Sequence, residues 1–261
     1  MTRFVIYPAI VSNEEAHFLK NDFIKKGYKA LIAKRDGVYS PKAGDVVIDW
    51  GYSKPANWDV KAREKASLFL NRPEYILNAV DKLAAYELLK ECGVRTISFA
   101  RSKAVVEKWL NNGHKVIGRK TLTGKKAEGA VLIESLADVV DCPLYTKFVP
   151  STNEFRVYVM GGDVFDVIEK RRKQGTNDSG AIKSEDNGWV FCRQHVSLPT
   201  QCAGLAVMAV KALGLDFGGV DVLWDAEKGR ATILEVNTAP GIFGSGVGKF
   251  AEAFIQLSEE A

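Results

Sequence analysis

Apolar residues change their spacing along the chain, and each change marks an element. "FVIYPAI" (4–10) reads as a strand, and "NEEAHFLKNDFIKKG" (13–27) as an amphipathic helix with Asn13 as N-cap and Gly27 as its stop. "YKALIAK" (28–34) and "DVVIDWG" (45–51) predict two further strands, which makes the first 75 residues or so a small α/β unit. "NAVDKLAAYELLKECGV" (78–94) then predicts one helix, with Leu83, Tyr86, Leu88 and Leu89 on its apolar side and Gly93 ending it. "RTISFA" (95–100) predicts a strand, "SKAVVEKWLNNG" (102–113) a helix, and "HKVIGRK" (114–120) and "AVLIES" (130–135) two more strands.

The remainder is rich in strands. "LYTKFV" (144–149) is followed by "EFRVYVMGGDVFDVIEKRRK" (154–173), a hairpin turning at Gly161-Gly162. A polar stretch spans 174–188, a helix is predicted from about Thr200 to Leu213, and "GGVDVLWDAEKGRATILEVN" (218–237) forms a last hairpin. "GIFGSGVGKF" (241–250) reads either as a flexible substrate loop or as a close-approach turn before a final helix.

Composition narrows the classes. The 36 basic and 32 acidic residues are interspersed, so no single-sign field points to nucleic acid or a membrane surface. No apolar run approaches the ~20 residues of a membrane span, and the expected location is the cytoplasm. Cys92, Cys142, Cys192 and Cys202 lack C-x-x-C spacing, so reduced, buried thiols are expected rather than a zinc site or disulfides.

The candidate chemistry lies in the last hairpin. A turn centred near Lys228 sets Asp225 opposite Ala231, Leu223 opposite Ile233 and Asp221 opposite Glu235. Asn237 then shares the face of Glu235. Opposed carboxylates repel unless a cation lies between them, and an all-oxygen set suits Mg²⁺ completed by phosphates. A register displaced by one or two residues, with all three merely solvated, is the competing reading.

Phosphate-binding parts would accompany such a metal. The glycine-containing "TLTGKKAEG" loop (121–129) has backbone N–H groups for phosphates, with Arg119, Lys120, Lys125 and Lys126 near it. Arg156 alternates with apolar neighbours, so it needs an anion: a ligand, or an internal partner such as Glu154 or Glu169.

Together, "VDKLAAYELLKECGV", the strand–glycine loop–strand "VIGRKTLTGKKAEGAVLI", "LYTKFVPSTNEFRVYV", "EKRRK" and "GVDVLWD" with "TILEVNTAPG" resemble the ATP-grasp superfamily, and within it the RimK-like carboxylate–amine ligases. The resemblance covers about 75–242 and implies an α+β / α/β ATP-grasp fold. Its parts would be an N-terminal α/β subdomain (1–77), a central lid subdomain (78–149) and a C-terminal antiparallel-sheet subdomain (150–261), with ATP between the last two.

Carried over by position, Asp221, Glu235 and Asn237 would hold Mg²⁺, or Mn²⁺ in its place. Lys82 and Arg119 would contact phosphate, Arg119 standing where the family usually has lysine. Lys147 and Val149 would meet adenine, although Thr146 replaces a frequent glutamate; Glu154 would bind ribose. Arg156 and Arg171 would face the transferred phosphoryl group, with Asn177 near them.

The implied reaction joins a small-molecule, amino-acid or peptide carboxylate to an amine through an acylphosphate, with the glycine loop and 174–188 as lids. Phosphoryl transfer to a hydroxyl and a non-catalytic scaffold are the alternatives. No nucleic-acid or membrane partner is expected, and a homodimer is the expected form if the protein is not a monomer.

Overall fold

The computed structural model describes residues 2–34, 37, 39–54, 57–123, 128–175, 183 and 187–260. Three sheets follow one another along it. The first is parallel, in the order β2-β1-β3-β4, from β1 (Arg3–Pro8), β2 (Lys29–Ile32), β3 (Asp45–Trp50) and β4 (Leu68–Leu70). Helix α1 (Glu14–Lys25) starts where Asn13 accepts the Ala16 N–H at 2.8 Å, and α2 (Asn57–Lys65) precedes β4.

The single helix expected over 78–94 is two: α3 (Pro73–Val80) and α4 (Lys82–Glu91). Asp81 stands between them with extended backbone (φ −82°, ψ 110°), and its carboxylate caps the Leu83 and Ala84 N–H groups. An aspartate N-cap competes with helix continuation, which is why the periodic run breaks there.

The second sheet, β5-β8-β6-β7, is antiparallel: β5 (Phe99–Ala100), β6 (Val116–Arg119), β7 (Ala130–Ile133) and β8 (Leu144–Lys147), with α5 (Lys103–Asn111) packed on β6. The strand expected over 95–100 is reduced to β5, with Thr96 bridging Ile233 in isolation.

The third sheet, β11-β10-β9-β12-β13, carries the site. It consists of β9 (Asn153–Met160), β10 (Asp163–Arg172), β11 (Trp189–Cys192), β12 (Phe217–Asp225) and β13 (Arg230–Asn237). One face, with Phe155, Val157, Val159, Val220, Val222 and Ile233, is sealed by α6 (Thr200–Ala212), joined by Ile76 of α3 and Leu89 of α4. On the other face, Tyr158, Met160 and Phe217 pack with Phe4, Ile6 and Trp50 of the first sheet and Phe250 and Phe254 of α7 (Ser245–Glu260). The rest of that face carries Glu154, Arg156, Lys170, Asp221, Glu235 and Asn237, with Leu223 and Phe191 among them.

In the 241–250 segment Gly244 turns with a positive φ of 56° into α7, which begins at Ser245. Gly246 lies in the first turn of α7 against the Arg193 guanidinium, the end of a flexible side chain that a Cβ there would displace. All four cysteines are free thiols, but only Cys142 and Cys202 are buried: Cys92, near the end of α4, is exposed, contrary to expectation. No helix among the described residues is long and apolar enough to cross a membrane.

Candidate functional site

Two bulges decide which side chains reach the face of the third sheet that carries Glu154 and Arg156. Next to the last turn the pairing is Asp225↔Arg230 and Leu223↔Thr232, one residue away from the expected register. Leu234 is then an extra residue in β13, and beyond it Asp221↔Glu235 and Gly219↔Asn237 pair as expected. An unbulged hairpin would turn Glu235 and Asn237 toward α6, because one residue of slip reverses a strand's faces. Leu234 is held in place by the third sheet's neighbours: its carbonyl accepts the Tyr86 hydroxyl at 3.0 Å.

In β10 the extra residue is Phe165, which packs edge-on against Phe250 with ring centroids 4.8 Å apart. Past it, Ile168 pairs with Arg156 and Glu169 with Phe155, so the next pair along brings Lys170 to Glu154. The consequence departs from the sequence reading of Arg171. Its side chain lies on the α6 side, bonded to Glu169 and to the carbonyls of Gln194 and His195 at 2.7–2.9 Å. Lys170 takes the place beside Glu154, at 2.5 Å.

Arg156 meets Asp221 in a two-pronged pair, Nε to Oδ1 at 2.7 Å and Nη2 to Oδ2 at 2.9 Å. Its partner is thus Asp221, neither Glu154 nor Glu169. The Phe191 ring lies beside the guanidinium, 4.6 Å from Cζ. Burial works against the Asp221 charge, but Arg156 outweighs it and holds the carboxyl below the usual range. Burial, aided by Asp221, raises Glu154 against the pull of Lys170 and Lys183.

Glu235 lies 3.7 Å from Lys82 Nζ at the start of α4, and Asn237 Nδ2 donates weakly to the Gly219 carbonyl at 3.3 Å. Gly219 is a glycine of necessity, since a Cβ there would come within 2.7 Å of Pro240. Asp221, Glu235, Asn237, Lys82 and Arg156 therefore share one place. Their metal-capable donors are carboxylate and amide oxygens, a hard set suited to Mg²⁺ or Mn²⁺. Both Asp221 oxygens already accept from Arg156, so a cation would have to share them.

Arg119 ends β6, its charge felt at the Tyr86 hydroxyl, and its buried Nε has no hydrogen-bond partner among the described residues. Lys147 turns its ammonium over Trp109 at 5.5 Å and donates its N–H to the Ser98 carbonyl. Val149 packs with Tyr86, Leu144 and Leu223 in an apolar patch between the second and third sheets. Thr146 is buried, its hydroxyl 3.4 Å from the Ile117 carbonyl. Asn177, Lys125 and Lys126 lie outside the described residues.

The sequence reading passed over Lys170, Lys183 and Phe191. Lys183 sits 3.8 Å from Glu154 and 3.1 Å from the Ser151 hydroxyl. The short alternation "WVF" was the available signal for β11.

Residues 104–249 match the family model of the RimK-like ATP-grasp domain. The chain belongs to the RimK-like ATP-grasp family. This RimK-like chain is 26% identical over 192 residues to a probable alpha-L-glutamate ligase of Haemophilus influenzae, covering 68% of the chain and 61% of the relative. A probable alpha-L-glutamate ligase of Parasynechococcus marenigrum is 30% identical over 67% of the chain, which spans only 39% of that relative. The chain thus spans less than two thirds of the length of both.

The ATP-grasp fold is shared with solved structures. The ATP-grasp ligase PsnB, complexed with a minimal precursor, superposes with a TM-score of 0.71 at 14% identity over 98% of this chain and 99% of its own. The D-alanine–D-alanine ligase of Bacillus anthracis gives 0.71 at 14% identity, over 100% and 98% of the two chains.

Proposed function

We propose that the protein is an ATP- and Mg²⁺-dependent ligase that joins a carboxylate to an amine. The observation that carries this reading is the convergence of Asp221, Glu235 and Asn237 with Lys82 and Arg156 on one sheet face, between the second and third sheets. A site of oxygen donors and fixed cations does its work by positioning and charge neutralisation.

In this reading Asp221, Glu235 and Asn237 hold Mg²⁺, which when bound screens the phosphate oxygens. Lys82 and Arg119 receive phosphates, Lys147 and Val149 meet adenine, and Glu154 accepts a ribose hydroxyl. Asn177 is assigned to the nucleotide by resemblance alone. The substrate carboxylate oxygen attacks the γ-phosphorus, the bond to the β-phosphate oxygen breaks, and ADP leaves. The amine then attacks the acyl carbon; phosphate departs and the amine proton passes to solvent. Arg156 and Lys170 offset the charge on the transferred group, in place of the Arg156 and Arg171 that the family resemblance implies.

Glutamate is the first substrate to try, because the curated relatives are named for it. The test is an ADP-release screen over glutamate, other amino acids and short peptides, with mass detection of the product. An amide with ADP and phosphate supports the reading. A phosphoester would make the protein a phosphotransferase, and no turnover in a protein that binds ATP would leave a scaffold.

A further inference from the structure

We propose that Phe191 is a positioning residue that fixes the direction of Arg156 and Lys170 at the phosphoryl end of the site. The inference rests on the ligase reading for its catalytic consequence, but its geometry does not. Strand β11 is an edge strand whose register places Phe191 opposite Lys170. One ring thereby serves two cations: Arg156 Cζ lies 4.6 Å and Lys170 Nζ 5.2 Å from its centroid.

The need for such a support follows from Asp221. That carboxylate fixes Arg156 along the Nε–Nη2 edge, yet it is also the most buried of the three candidate metal donors. A cation drawing on the Asp221 oxygens weakens the two-pronged pair at the moment when Arg156 has to aim at phosphate. A ring over the guanidinium does not compete for those oxygens, so it keeps the plane oriented while the edge contact is shared. Arg156 is then left with Nη1 outside the pair, the nitrogen available to an incoming oxygen.

Trp189, two residues earlier on the same strand face, repeats the arrangement with Arg172 at 5.3 Å and Lys183 at 4.9 Å. The alternation makes β11 a rail of aromatic faces under a row of cations. Phe191 is the member of that rail whose cations border Asp221.

The test compares Phe191→Leu and Phe191→Tyr by two readouts. The first is the Arg156 Nε–H signal in a ¹⁵N-arginine NMR spectrum, assigned by its loss in Arg156→Lys. The second is Mg²⁺-dependent ADP release from ATP with glutamate present. Phe191→Leu should remove the ring-current displacement of the Arg156 signal and lower kcat about tenfold, within the range of one cation–π contact. KM for ATP should change less than twofold, and Phe191→Tyr should keep both readouts near wild type.

An unmoved Arg156 signal in Phe191→Leu overturns the proposal, and so does an unchanged kcat or an equal loss in Phe191→Tyr. If Phe191→Leu does not fold, Phe191→Met keeps the bulk without the ring and takes its place. If the wild type releases no ADP, the ligase reading has failed and the Arg156 spectrum alone decides on Phe191.

Discussion

The β9–β10 and β12–β13 hairpins lie side by side in one sheet, and each contains one surplus residue, with opposite consequences for what the sequence suggests. In β13 the surplus Leu234 corrects a turn that would otherwise have pointed Glu235 and Asn237 into the apolar layer beneath α6. In β10 the surplus Phe165 sends Arg171 to the far side of the sheet and brings Lys170 to the site. Pleat parity, more than residue type, therefore assigns the charges of the site. Both surplus side chains pack into apolar clusters, Leu234 beside Tyr86 and Phe165 against Phe250.

The sharpest way to break this comparison is to delete Leu234. Glu235 would then follow Ile233 directly, so the regular pleat keeps Glu235 and Asn237 on the site face, and urea unfolding should show a loss of about 5 kcal/mol from the missing Leu234 packing and the orphaned Tyr86 hydroxyl. Asp221→Ala comes next, since it strips the partner from partly buried Arg156 and should cost about 3 kcal/mol in the same measurement.

A comparison of Lys170→Met with Arg171→Met sharpens the β10 half. Lys170→Met should raise the Kd for ATP about tenfold in calorimetric titration, as expected for one lost charge-assisted contact. Arg171→Met should leave that Kd within about twofold and instead loosen the Gln194–His195 carbonyl contacts, with a small fall in Tm.

The smallest expected effect lies outside the hairpins. Asp45 at the first sheet is buried, which disfavours its charge, but hydrogen bonds from Arg3, Lys42 and Tyr39 outweigh this and hold its carboxyl below the ordinary value. A lowered folded-state value means stabilisation that is present above about pH 4 and lost as pH falls further. Asp45→Asn should flatten that acid limb, by about 2 kcal/mol, while leaving ATP affinity unchanged.

Much of this architecture was legible in the chain. Asn13 announced α1 because its side chain can cap a helix that starts with two glutamates, and the Gly161-Gly162 pair announced the β9–β10 turn through glycines that take positive φ. Asp81 could have been read as a cap but was hidden inside an apolar period that runs on through it. The bulges were not legible, because an extra residue costs a strand nothing in composition and is chosen by packing against Tyr86 or Phe250. Strand β11 escaped because it has only four residues and follows a polar stretch. Asp221 and Glu235 pair as expected all the same, with Asn237 on their face: the expected register and the bulged one coincide at that end of the hairpin.

The central claim is that the bulged face binds nucleotide and metal together. Its most direct test is calorimetric titration of ATP, with and without Mg²⁺, into wild type and Glu235→Gln. The account predicts that Mg²⁺ tightens ATP binding at least tenfold in the wild type and by less than twofold in Glu235→Gln, whose fold is retained. ATP affinity indifferent to Mg²⁺ in the wild type, or an equal Mg²⁺ effect in both proteins, would contradict it.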